Sequence, residues 1–139
     1  MNVVLVGDAA VARPIGVVVA SLAAQRDAFA PLEVHVVASG WSRDDADFVR
    51  RAADDVPIQV RDPGGASLPP SREDRHVTSA AYLLLHLPRL LADVDRALYL
   101  DADVLVRDSR VGPLWSSHAW RHAVAGVQAV MTPRLASPR

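Results

Sequence analysis

Residues 3–8 read Val-Val-Leu-Val-Gly-Asp, an unbroken β-branched and aliphatic run closed by glycine and an acid. A strand with one face in water alternates apolar and polar residues, so a continuous run is the pattern of a strand covered on both faces, as at the centre of a parallel sheet. The neighbouring segments agree. Pro14 suits the first turn of a helix, where its missing N–H would have no partner anyway, and Ile15 to Gln25 continues without a breaker and apolar nearly all round. A helix packed on the sheet is expected there. Leu32 to Ala38 reads as a second strand ended by Ser39-Gly40, and Ser42 with Asp45 forms a carboxylate variant of the capping box before a helix through Arg51, with apolar positions at Ala46, Phe48, Val49 and Ala52.

Val56 to Val60 makes a third short strand, and Asp62-Pro63-Gly64-Gly65 with Pro69-Pro70 marks a loop. The spacing of apolar residues at 77, 80, 81, 84, 87 and 91 predicts a helix over Val77 to Leu91, which Pro88 kinks or ends early. Ala97 to Leu100 is the fourth strand. Such alternation implies an α/β fold, a Rossmann-like, mostly parallel sheet with helices on both faces. Pro113-Leu114-Trp115 is expected as a short helical turn, Ala123 to Val130 as one more strand, and Met131 to Arg139 as a loose tail, dividing the chain into 1–130 and 131–139.

At 139 residues the chain has room for one compact domain. Half of it is hydrophobic, 22% is charged and the formal net charge is −1, which gives no bulk attraction to nucleic acid. All 15 basic residues are arginine. With no cysteine there are no disulfides or thiolate metal sites, which permits a cytoplasmic location. The apolar run Ile15 to Ala24 is 10 residues long, half of the roughly 20 that a bilayer span needs, so no transmembrane segment is expected.

The chemistry concentrates at Leu98-Tyr99-Leu100-Asp101-Ala102-Asp103-Val104-Leu105-Val106, where two carboxylates interrupt an apolar run. If the strand continued, Asp101 and Asp103 would share a face and both offer oxygen to one hard divalent cation. In parallel sheets ligands bind beyond the carboxyl ends of the strands, and Asp8 ends the first strand as this pair ends the fourth. The three aspartates are therefore expected on one edge. An Asp-x-Asp alone is more often a turn former or a solvated strand end, and Asp8 after Gly7 is equally a turn residue.

In the order and spacing of these features the chain resembles glycosyltransferase family 8, which includes bacterial lipopolysaccharide galactosyltransferases and glycogenin. The resemblance rests on a first strand ending in Asp8, a helix opening near His76 and containing Tyr82, the block from Asp95 to Val106, and Pro113-Leu114-Trp115. It implies a GT-A type fold, a UDP-sugar donor, transfer of a hexose with retention to a saccharide or lipid-linked acceptor, and a divalent ion, Mn2+ or Mg2+. Asp101 would contact metal and donor ribose, Asp103 would be the main metal ligand, and Asp8 would hydrogen-bond the uracil. Ala10 and Val11 stand where the family has an asparagine and an aromatic, and Leu84 stands where it has an arginine. Weakened donor binding follows. The family also continues beyond this length with acceptor-side residues and a metal-binding histidine, so the chain reads as the truncated nucleotide-binding half, with no catalytic residue assignable and with exposed apolar surface that favours self-association.

Other readings compete. A non-catalytic remnant that binds UDP and metal is the first. A strand ending Asp-x-Asp-Val is also similar to haloacid-dehalogenase-type phosphatases, but there the pair opens the chain, and here 36 residues follow Asp103. His118 and His122 are spaced for one helix face, yet beside Trp120 they read as solvated or packing residues. Trp41, Trp115 and Trp120 read as packing residues before sugar platforms.

Overall fold

The structure is a computed structural model and describes residues 1–64 and 82–117. Its centre is a parallel sheet of four strands, β1 (Asn2–Asp8), β2 (Glu33–Ser39), β3 (Ile58–Arg61) and β4 (Leu98–Tyr99), in the spatial order β3-β2-β1-β4. β1 is interior, paired with β2 from Asn2 opposite Glu33 to Asp8 opposite Ser39, and with β4 through Val3 opposite Leu98 and Val4 opposite Tyr99. That position accounts for the unbroken apolar run from Val3 to Val6, all of it buried.

Alternate residues of β1 and β2 feed two separate cores. Val3, Leu5, Val34 and Val36 pack beneath α1 (Ala12–Ala23) and α3 (Arg43–Ala52), against Ile15, Val18, Val19, Leu22 and Val49. Between α1 and β2 in the chain, the short α2 (Arg26–Phe29) adds Phe29 to that core, an element with too few residues for a periodicity to announce it. Helices α1 and α3 approach closely because position 16 has no side chain: a Cβ there would meet Cε1 of Phe48 at 2.4 Å. Val4, Val6 and Val37 face the other way, onto Leu83 and Leu91. Both faces are covered, as the unbroken apolar run requires.

Several segment boundaries differ from the sequence reading, three of them for local reasons. α1 begins two residues before Pro14, which still lies in the first turn. β3 begins at Ile58 because Pro57 has no N–H for the ladder; its carbonyl instead accepts from the Val34 N–H at 2.9 Å. Of the helix expected over Val77 to Leu91, residues 77–81 lie outside the described residues. The remainder is a 3-10 turn, Leu83–His86, followed by the four-residue α4 (Leu87–Leu90) with Pro88 in its first turn, since proline cannot donate to the turn before it. Ala123 to Val130 and the tail 131–139 also lie outside the described residues.

At the start of α3 the expected capping box is present. The Ser42 hydroxyl accepts from the Asp45 N–H at 3.2 Å while the Asp45 carboxylate accepts from the Ser42 N–H at 3.0 Å. Ser42→Ala is expected to cost about 1 kcal/mol, read as a lower thermal midpoint, with Ser42→Asp restoring most of it. An unchanged midpoint in the alanine variant would mean the helix start is held elsewhere.

The segment over the second face is tied to the sheet by Arg61, which grips both carboxylate oxygens of Asp93 at 2.7 Å and donates to the Leu90 carbonyl at 2.9 Å. The guanidinium bond pulls the Asp93 carboxyl down to about 2. Beside this latch His35 is 1% exposed, and neither ring nitrogen has a hydrogen-bond partner among the described residues. Burial lowers its pKa, with Arg61 adding to the lowering and Glu33 and Asp93 opposing it. Because the folded value lies below the unfolded 6.5, stability is unaffected by this titration above that pH and is lost as pH falls through it and the unfolded chain takes up the proton first. His35→Leu is accordingly expected to raise stability at pH 7 by about 1 kcal/mol and to flatten the loss between pH 7 and 5, since it removes unpaired buried nitrogens. A lower thermal midpoint at pH 7 would show instead that the imidazole is satisfied in solution.

Candidate functional site

β1 delivers Asp8 to the carboxyl edge of the sheet. Its carboxylate accepts from the Ala10 N–H at 3.0 Å and caps the 3-10 turn Ala9–Val11, while its backbone carbonyl accepts from the Trp41 indole at 2.9 Å. Asp8 is thus a turn former in this structure, with further lone pairs to offer, and Trp41 braces the same turn.

β4 delivers the other two. Its ladder stops where the Leu100 N–H donates to the Val4 carbonyl at 3.1 Å, and the Val104 N–H then closes a turn onto the Asp101 carbonyl at 3.2 Å. The aspartates therefore sit at a turn just past the strand's end and not on a continuing strand. Ala102 packs against the main core, as Leu98 and Leu100 do, and Asp101 and Asp103 are exposed. Tyr99 donates its hydroxyl to Asp101 Oδ1 at 2.5 Å. Burial and then this bond hold the phenol well above the usual tyrosine range.

Parallel pairing of β1 with β4 puts the ends carrying Asp8 and Asp101 on one edge, as expected. With Tyr99 opposite Val4, the rise per residue leaves Asp8 about 7 Å further along the sheet than Asp101. Among the described residues no three His, Cys, Asp or Glu side chains cluster closely enough to enclose a metal. The three aspartates share one edge of the sheet, and among the described residues no cage closes there.

Downstream, the Val106 N–H donates to Ser21 Oγ at 3.1 Å, fastening the chain after the turn to α1. Pro113-Leu114-Trp115 lies in α5 (Gly112–Ser116), as the sequence suggests, and the Arg96 guanidinium covers the Trp115 ring at 3.8 Å, so that ring is occupied. Leu84 packs on the second core, leaving no cation at the position of the family's arginine. His76, His118, Trp120 and His122 lie outside the described residues. Sequence reasoning missed Tyr99, although it stands two residues before Asp101 in the quoted block; it also missed the Arg61 latch, which joins residues distant in the chain.

A Rossmann-like parallel α/β sheet with an acidic turn at its carboxyl edge is the class these features define, and the comparisons narrow it. The model for glycosyl transferase family 8 matches residues 2–136. The crystal structure of the galactosyltransferase LgtC in complex with donor and acceptor sugar analogues superposes with a TM-score of 0.66 at 30% identity, covering 84% of this chain and 42% of that one. The apo bifunctional glycosyltransferase WbbM, 16% identical, shares the fold with a TM-score of 0.60 over 84% of this chain and 20% of its own. General stress protein A of Bacillus subtilis (strain 168) is 26% identical over 132 residues, which is 92% of this chain and 46% of that protein. The chain belongs to glycosyltransferase family 8 and has the GT-A fold of LgtC. It spans less than half the length of these relatives. No helix among the described residues is long and apolar enough to cross a membrane.

Proposed function

We propose that residues 1–130 are the nucleotide-sugar-binding half of a retaining glycosyltransferase that takes a hexose from a UDP-sugar, with a divalent cation, Mn2+ or Mg2+, held by Asp101 and Asp103. The observation that carries this reading is the exposed turn after β4, which offers two carboxylates beside the edge where Asp8 ends β1. Such donors fit the cation. A hard ion bound to a diphosphate needs only one or two protein carboxylates, because phosphate oxygens and water complete its shell. When bound, the cation stabilises the negative charge that develops on the diphosphate as the sugar leaves.

Asp103 is the main cation ligand, Asp101 contacts both the cation and the donor ribose, and Asp8 accepts from the uracil edge. The acceptor is a saccharide or lipid-linked saccharide, and the setting is cytoplasmic. The exposed Leu85 and Leu105, 77% and 59% accessible, favour self-association. A second reading, a module that binds UDP and metal without catalysis, is favoured by Ala10, Val11 and Leu84, which supply none of the family's polar, aromatic or cationic contacts.

Calorimetric titration with UDP tests the proposal directly. Binding in the presence of manganese and none in its absence is expected; a cooperatively folded chain that takes up no UDP in either condition would end the reading.

A further inference from the structure

We infer that Tyr99 is a positioning residue for Asp101, its hydroxyl holding Oδ1 so that Oδ2 is the oxygen presented to the donor complex; this rests on the reading of Asp101 as a donor contact. Tyr99 is the last residue of β4, and its ring packs with Val4, Val6, Leu83 and Leu91 in the second core. That packing immobilises the ring, and the hydroxyl reaches past Leu100 to Asp101 Oδ1 at 2.5 Å.

The carboxylate it meets is differently placed. Asp101 is exposed on a turn, and the Tyr99 hydroxyl is its sole side-chain partner among the described residues. An exposed aspartate samples several rotamers, and ordering it on binding weakens affinity. A rigid core residue that fixes one oxygen in advance removes that loss, as outer partners do for ligands of metal sites generally. Asp103 has no such side-chain tether among the described residues. The sheet core is thereby connected to one of the two carboxylates, through a single side chain.

Tyr99→Phe keeps the ring and removes the donor. Manganese-dependent UDP affinity is expected to fall about tenfold, the scale of a hydrogen bond to a charged group, with the thermal midpoint unchanged. In Asp101→Ala, whose weaker binding is read at millimolar UDP, adding Tyr99→Phe is expected to change nothing, because the partner is already gone. A tenfold loss persisting in that background would show that Tyr99 acts independently of Asp101 and would overturn the inference, as would a Tyr99→Phe chain that fails to fold. Equal affinity of wild type and Tyr99→Phe would remove the inference alone and leave the proposed function standing. Absence of UDP binding by wild type removes the proposed function, and this inference with it.

Discussion

Asp103→Ala is expected to abolish manganese-dependent UDP binding at concentrations that saturate the wild-type chain, a loss of more than about a hundredfold; disturbing outer partners of metal ligands already costs 10–100-fold. Few protein ligands share the load at this turn: no third acid or histidine joins Asp101 and Asp103 among the described residues. Removing one of two carboxylates halves the negative charge facing the cation, and the remaining one, Asp101, has an oxygen occupied by Tyr99. Asp103→Asn, which keeps a neutral oxygen, should lie between wild type and alanine. Because Asp103 is exposed, neither variant should shift the thermal midpoint by more than a degree or two, since surface substitutions stay within about 0.5 kcal/mol. Calorimetry on the three proteins decides the matter. Undiminished manganese-dependent binding by the alanine variant would mean that the cation sits elsewhere.

Leu5→Ala should produce the largest change in stability, about 3 kcal/mol and roughly 10 °C in the thermal midpoint. Leu5 is fully buried on the interior strand, opposite Val36 and beneath Ile15 and Leu22. A cavity there is walled on one side by hydrogen-bonded backbone, which cannot collapse into it, and so the cost falls in the middle of the range for such truncations. Set against a total of about 5–15 kcal/mol for ordinary domains, this is enough to populate unfolded chain. Val17→Ala on α1 is the control. That side chain is 57% exposed, and its removal should shift the midpoint by little. Equal losses in the two variants would place the core elsewhere than between β1 and α1.

The aspartate turn was only partly legible. Two carboxylates after an apolar run marked the location, because acids are expelled from a buried strand and must appear where it ends. The sequence could not show that the chain would turn at Asp101, since that depends on where the β4 ladder onto β1 stops, at Leu100. Tyr99 was read as one more apolar residue of the strand, and its hydroxyl became informative only once its ring was anchored by Val4 and Leu83. His35 gave no signal for a similar reason: in Glu33-Val34-His35-Val36 it occupies a polar place in an alternating start, and its burial comes from the segment that Arg61 and Asp93 tie down.

Local rules determined the rest of the frame. Val3 to Val6 required cover on both faces, Ser42 with Asp45 required a helix start, and parallel strand order then required Asp8 and Asp101 to share an edge; each follows from side-chain hydrophobicity or backbone hydrogen bonding within a few residues. Tertiary structure alone decided which oxygen of Asp101 is tethered, which face buries His35 and how closely α1 and α3 approach at Gly16. These depend on contacts between residues far apart in the chain, whose distances are set by packing and not by periodicity.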